Sequence, residues 1–180
     1  YEKYLSKFTW PGGASGPTIA IGIDCAYYTK LELSRIFNFL SPEHIKLIQG
    51  SIGKTGQDGK EYTKILRNEG IIVNWEQALN IFNNITWGKF TKLTEKTFPG
   101  VDKLKEDAYG AIVSLVFNRG TSLKGQSRSE MRKIKDLIPS KDYIAISDQI
   151  RKMKRLWIGK NLDGLLERRD SEATLIEKCA

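Results

Sequence analysis

Residues Trp10 to Asp24 read WPGGASGPTIAIGID, and the rest of the chain is organised around them. Pro11-Gly12-Gly13-Ala14-Ser15-Gly16-Pro17 is a loop. Glycines at this density supply left-handed backbone conformations and let another segment approach the main chain closely. Thr18-Ile19-Ala20-Ile21-Gly22-Ile23 is a β-rich segment closed by the Asp24 carboxylate. Alternation sets Ile19, Ile21 and Ile23 on one face and Thr18, Ala20, Gly22 and Asp24 on the other. That register puts the Thr18 hydroxyl and the Asp24 carboxylate on the same side of one short strand, lining a loop-walled surface. A polar pair so placed is a candidate active site. Glycine-rich loops before strands are also ordinary hairpin turns, and an Asp closing a strand is also a cap residue. Spacing alone leaves both readings open.

Size and composition narrow the class. A chain of 180 residues suits one domain, or two small lobes sharing a core, and buries roughly 70% of its unfolded surface. With 40% hydrophobic and 28% charged residues it has the composition of a soluble globular protein, which argues against disorder. No apolar run approaches the roughly 18 residues needed to span a bilayer. The opening YEKYLSKF alternates charged and aromatic residues, unlike a signal peptide, and Tyr1 is not an initiator methionine, so the chain reads as a fragment or processed form.

Lys and Arg outnumber the acids 29 to 21, a net charge of +8 that favours anionic partners such as nucleic acid, anionic lipid or cell-wall polymer. The densest basic run, Arg151-Lys152-Met153-Lys154-Arg155, reads as a solvated helix face drawn to a surface. Cys25 and Cys179 fit two buried free thiols better than a disulfide, and no Cys/His metal pattern is present. His44, the single histidine, follows a helix start and has no partner at ligand spacing. A Ser/His/Asp or Cys/His nucleophile is therefore not indicated.

The periodicity predicts a mostly helical chain. Tyr1, Tyr4, Leu5 and Phe8 follow helical spacing and read as the end of a helix. A helix from Thr29 carries Leu31, Leu33, Ile36, Phe37 and Leu40. Ser41-Pro42-Glu43 offers an N-cap, a first-turn proline and an acidic first turn for the next, which fades at Gly50 or Gly53. Thr55-Gly56-Gln57-Asp58-Gly59 reads as a turn before a short helix over 61–67, stopped by Gly70. Asn74 caps a helix over 75–85, and a separate one covers 89–97. The most apolar segment, Leu104 to Asn118, is expected to be the central helix, with Gly110, Ala111 and Ser114 admitting close neighbours and Gly120 ending it. Helices over 127–138, 142–157 and 162–178 complete an α+β, mostly α chain.

The opening stretch resembles the core motif WPGGASGVTIGIGYD of the pesticin-like branch of the phage-type lysozymes (muramidases). The second half carries the likeness on. Ala111 to Leu137, AIVSLVFNRGTSLKGQSRSEMRKIKDL, is similar to that family's ALVSLVFNRGTSLxGDSRxEMRxI. DQIRKMKRLW and GLLERRDSEATL are similar to its C-terminal segments, where an Arg-Arg pair opens the last helix. The resemblance implies a lysozyme-like fold with a small β-containing N-terminal lobe, about 9–70, and a helical lobe, about 71–180, around a central buried helix. The N-terminal helix end would join the helical lobe within one catalytic domain.

Functional residues follow from the resemblance position by position. Thr18 stands where the family has the threonine that positions the attacking water, and Asp24 where it has the catalytic aspartate. Asn118 and Arg119, in the NRG after the central helix, and Tyr27 are implied substrate contacts, Asn118 and Arg119 reading equally as a helix cap and a structural arginine. The family's acid glutamate precedes the YEK segment, ahead of Tyr1; Glu2 sits near that place, but reads as the solvent-facing residue of YEK rather than as a substitute acid. Ala20 replaces a family glycine and is expected to add a methyl group beside the cleft. The implied activity is inverting hydrolysis of the peptidoglycan glycan strand, without metal or organic cofactor, by a monomer acting in the periplasm or outside the cell. The competing readings are an inactive glycan-binding or structural relative and a nucleic-acid-binding helical protein. Alanine at Asp24 or Thr18 is expected to abolish lysis without unfolding the chain.

Overall fold

In the computed structural model, which describes residues 5–180, two two-residue strands precede nine α-helices. The order is β1 (Thr18–Ile19), β2 (Ile23–Asp24), α1 (Lys30–Ile36), α2 (Pro42–Gln49), α3 (Gly56–Asn68), α4 (Trp75–Ile81), α5 (Trp87–Thr97), α6 (Glu106–Arg119), α7 (Ser129–Leu137), α8 (Tyr143–Lys152) and α9 (Asp163–Glu177). The α+β, mostly α class holds. The chain divides into two compact units, 1–87 and 88–180.

The single strand expected over 18–23 is a hairpin. β1 and β2 pair antiparallel with Ile19 opposite Ile23 and Thr18 opposite Asp24. Gly22 at φ +72° and Ala20 at φ +55° carry the chain back on itself between them. An L-residue in the left-handed region costs roughly 1–2 kcal/mol, and Ala20 is held there by packing. It is fully buried in the core of the first unit, and its N–H donates to the Leu5 carbonyl at 2.9 Å. The methyl group expected beside a cleft is thus a core methyl.

Phe8, Ile19, Ile23, Leu33, Phe37, Ile48, Leu66 and Val73 pack together in that core. The helical expectation over 1–8 falls partly on residues 1–4, which lie outside the described residues. Leu5 to Lys7 form a turn and bends, and Thr9 bridges to Thr18. α1 starts as the sequence predicts, with a capping box between Thr29 and Glu32, but stops at Ile36. The next residues turn, and Pro42 forces Ser41 into extended backbone as the N-cap of α2.

The turn expected at 55–59 is the first turn of α3. Asp58 faces the positive helix start, and Gly59 serves contact rather than bending. A Cβ there would meet the Lys54 carbonyl oxygen at 2.8 Å and the Gly16 Cα at 2.9 Å. Gly16 is equally constrained, since its Cβ would lie 2.4 Å from the Ala26 Cβ and 2.6 Å from the Lys54 carbonyl oxygen. The glycine loop is thereby laid directly on the start of α3. The two helices expected over 75–85 and 89–97 are one helical run, α4 continuing into α5 through a π-helical segment at Phe82–Thr86.

In the second unit α6 is the buried central helix. Ala108, Ala111, Ile112, Val113, Leu115 and Val116 are enclosed, and all of them but Val113 pack with Met131, Ile134, Ile146, Ile150, Ala173 and Ile176. Gly110 is not the close-approach seam expected, because a Cβ there would meet nothing within 4 Å. Arg169 of α9 is fully buried, 2.9 Å from Glu172, and its guanidinium lies 5.7 Å from the Trp157 ring centre. Ser114 of α6 donates to the same Glu172 oxygen at 2.6 Å, which ties α6 to α9. Burial pushes the Glu172 carboxyl up against the pull of Arg169.

The basic run at 151–155 is internally neutralised rather than free. Arg151 pairs with Glu177, Lys152 with Asp148, Lys154 with Asp170 and Arg155 with Glu130, while Met153 is buried.

Two substitutions test this account by urea denaturation. Gly16→Ala should lower stability by about 1–3 kcal/mol, because the contacts are to backbone and a core methyl that cannot swing away. Glu172→Leu should lower it by roughly 3–5 kcal/mol by leaving Arg169 charged and buried without its partner.

Candidate active site

The loop of residues 10–17 is closed at its base by reciprocal backbone bonds between Thr9 and Thr18, 2.7 and 2.8 Å. Its interior is stapled by the Trp10 indole N–H donating to the Ser15 carbonyl at 2.9 Å. Ser15 O also accepts from the Gly56 N–H at 3.1 Å, and the Tyr27 hydroxyl donates to Ala14 O at 2.7 Å. Gly12 and Gly13 sit at φ +104° and +57°, conformations that favour glycine. The loop is therefore fixed against the hairpin and α3.

Asp24 lies at the end of β2, half-buried. The Gly16 N–H donates to both carboxylate oxygens at 3.1 Å, and the Ala26 N–H donates to Oδ1 at 3.2 Å. The second bond makes Asp24 the N-cap of a 3-10 turn over Cys25–Tyr27. Burial pushes the carboxyl above its ordinary value of 3.8, against the two backbone donors that pull it down. Thr18, opposite it in the hairpin, is only 7% exposed, and its hydroxyl donates to the Gly16 carbonyl at 3.1 Å. Both side chains thus grip one residue: Asp24 takes the N–H of Gly16, and Thr18 supplies a proton to its C=O. Cys25 next door is fully buried, and its thiol is pushed up by burial and by Asp24, so it is no nucleophile.

Tyr27 belongs to the same unit and is 63% exposed on the loop side. Lys60 of α3 sits 5.5 Å from the centre of the Trp10 ring. Asn118 and Arg119 lie in the other unit, at the end of α6. Asn118 is exposed. Arg119 stacks on Trp157 at 5.0 Å and donates to the Ser127 carbonyl at 2.7 Å. Burial, then Arg128 and Arg169, bring its pKa down to about 10. Arg119 thus braces the loop that follows α6. Glu2 lies outside the described residues. Among the described residues no group of His, Cys, Asp or Glu is arranged to hold a metal ion, and no helix is long and apolar enough to cross a membrane.

The sequence model of the family described as phage lysozyme matches residues 48–172, more than half of the chain. The chain belongs to the phage lysozyme family. Membership assigns it a peptidoglycan hydrolase activity, a glycoside hydrolase acting on the bacterial cell wall. No curated protein and no solved structure matches it. The family match covers α3 to most of α9 and starts beyond Thr18 and Asp24, so the hairpin site rests on its own geometry.

Two residues carry more of the lysozyme chain's geometry than the sequence reading gives them. Gly16 reads as one loop glycine among several. Its signal is Gly59, at a position where a helix would ordinarily avoid glycine. Glu172 is signalled by its spacing, three and four residues after Arg169 and Arg168, which sets all three on adjoining turns of α9.

The hydrogen bonds revise the expectation for alanine at Asp24. Asp24→Ala leaves the Gly16 and Ala26 N–H groups without an acceptor and should lower stability by about 1–3 kcal/mol. Asp24→Asn keeps an acceptor and removes the buried charge. A carboxyl raised on folding disfavours the folded state at neutral pH, and that effect fades as pH falls through the folded-state value and is gone below the unfolded one. The Asn variant should therefore match or exceed wild-type stability at pH 7, its advantage shrinking toward pH 3. Unfolding midpoints across pH check the sign.

Proposed function

We propose that the chain is a muramidase of the pesticin-like branch, cleaving the glycan strand with inversion, in which Asp24 is the base and Thr18 positions water. The supporting observation is the placement of a half-buried, upward-shifted carboxylate directly across a hairpin from a hydroxyl. A carboxylate offers about four lone-pair positions. Gly16 and Ala26 occupy two on Oδ1 and one on Oδ2, which leaves one on Oδ2. Thr18 donates its proton to Gly16 O, so its oxygen is turned to accept. Residues directly opposite in an antiparallel pair have Cβ atoms about 4.5–5.5 Å apart, a span that one water bridges.

A water donating one hydrogen to Thr18 Oγ1 and the other to Asp24 Oδ2 presents its lone pair outward. As that oxygen bonds to the anomeric carbon, Asp24 takes the proton, and an acid on the opposite side protonates the leaving oxygen. The acid in this scheme is a glutamate upstream of the YEK segment. Inversion by this route sets the two carboxyl groups roughly 6.5–9.5 Å apart. Tyr27 and Asn118 act as sugar contacts, and Arg119 holds the loop beside Asn118. The enzyme works as a monomer, bacteriolytic and antimicrobial, in the periplasm or outside the cell, as one lysozyme-like catalytic domain. Its net positive charge concentrates it at an anionic wall.

The near-complete burial of Thr18 favours one competing reading, in which the pair only anchors the loop and the domain binds glycan without cleaving it. Turbidity loss of bacterial wall suspensions by the full-length chain separates the two. Asp24→Asn should cut the rate by about 10²–10⁴ with folding intact, and Thr18→Val should cut it severalfold. The base must be ionised, so the acid limb of kcat/KM should lie above the ordinary aspartate range. Wild-type lysis retained by Asp24→Asn would leave the anchoring role alone.

A further inference from the structure

Positive charge is spent differently by the two kinds of cation in the second unit. Arginines bond to carbonyls of the loop between α6 and α7. Arg132 donates to the Leu123 and Gly125 carbonyls at 2.7 and 2.9 Å, Arg155 to Gln126 O at 2.9 Å, and Arg119 to Ser127 O at 2.7 Å. The basic run at 151–155 is paired with carboxylates, as described above. Three lysines behave otherwise. Lys96 at the end of α5, Lys124 on the loop and Lys135 on α7 line one open cavity of about 470 Å³, together with Thr121 and Ser122. No carboxylate lines that cavity, and none of the three ammonium groups has an ion-pair partner among the described residues. The N–H groups of Thr121, Ser122 and Leu123 likewise donate to no described residue.

We infer that this cavity binds a phosphate group, the lysines supplying charge and the 121–123 segment supplying hydroxyl and N–H donors. Three ammonium groups brought to one cavity repel each other, and an anion between them relieves that repulsion. Charge-assisted bonds to phosphate oxygens are the strong kind, and lysine serves phosphate as a point charge without demanding a planar partner. Because Arg132 already fixes the loop carbonyls, the donors are held in place before the anion arrives, which lowers the ordering cost of binding. Two sources carry this chemistry: the phosphodiester of a wall-linked polyol-phosphate polymer, and free phosphate. The wall source rests on the muramidase reading, and the binding chemistry does not.

The test uses the full chain and the triple variant Lys96→Gln/Lys124→Gln/Lys135→Gln, whose three positions are exposed and outside the proposed catalytic machinery. Inorganic phosphate is titrated while amide resonances are followed by NMR. The expected result is saturable shifts centred on residues 121–124, lost in the triple variant at an unchanged unfolding midpoint. Cosedimentation at about 0.15 M salt, where long-range attraction is screened, then compares walls bearing phosphodiester polymer with walls stripped of it. Retention about tenfold or more greater on the polymer-bearing walls, abolished in the variant, assigns the wall source. Equal retention on both, with the NMR response intact, assigns free phosphate. Absence of saturable shifts, or shifts that the triple variant keeps, overturns the inference. Wall lysis measured in parallel keeps the two proposals apart: a chain that lyses walls without binding phosphate loses only this one.

Discussion

The grip on the backbone of Gly16 is the constraint from which the first unit is built. Its N–H is taken by Asp24 and its C=O by Thr18, while its bare Cα lies where a Cβ on Gly59 would have to go. Three pieces of chain that are far apart in sequence, the loop, the hairpin and the start of α3, therefore meet at one residue without a side chain. The energetic logic is that of buried polar groups. A peptide enclosed by packing must find partners, since leaving one of its groups unpaired costs about 1–3 kcal/mol. The polar face of the hairpin supplies both.

The class of the fold and most helices were legible because their signals are local. A capping box, a first-turn proline and a glycine at positive φ act within a few residues, so Thr29, Ser41, Asn74, Gly70 and Gly120 mark boundaries that the chain obeys. The failures share a different cause. Gly56 to Gly59 looks like a turn because glycine is read as a conformational residue, whereas Gly59 is required by a neighbour 43 positions away in sequence. Thr86-Trp87-Gly88 looks like a break, yet helical bonding runs through it because a π segment absorbs the irregularity. Thr18 to Asp24 alternates like one strand, yet Ala20 accepts a strained backbone so that the chain can double back. An even separation across a tight hairpin also brings the two ends to one side, so the pairing of Thr18 with Asp24 survives the wrong secondary structure.

The candidate site was legible as residues and illegible as bonds. Sequence can nominate a hydroxyl and a carboxylate, but it cannot say that both are already engaged with the backbone of one residue, or that Thr18 is nearly enclosed. Arg119 shows the same limit from the other side. It stands next to an exposed Asn118 and looks equally like a ligand contact, while its stacking on Trp157 and its bond to Ser127 make it a brace. Planar arginine heads suit such enclosed, stacked positions better than lysine, and Arg169 lies on the same Trp157 ring.

Anchoring and catalysis need not compete for Asp24. A general base has to be held in one orientation, and its proton affinity has to lie above that of a free aspartate if it is to accept a proton from water with useful driving force. Burial alone would raise its affinity but leave the group loose and inclined to stay protonated. Backbone donors alone would fix it but lower its affinity. At Asp24 the two act together, with burial the larger. In the proposed scheme, the N–H groups of Gly16 and Ala26 would therefore serve as the mounting of the base while the surrounding core raises its proton affinity. The same bonds that shape the loop set the chemistry of the residue it encloses.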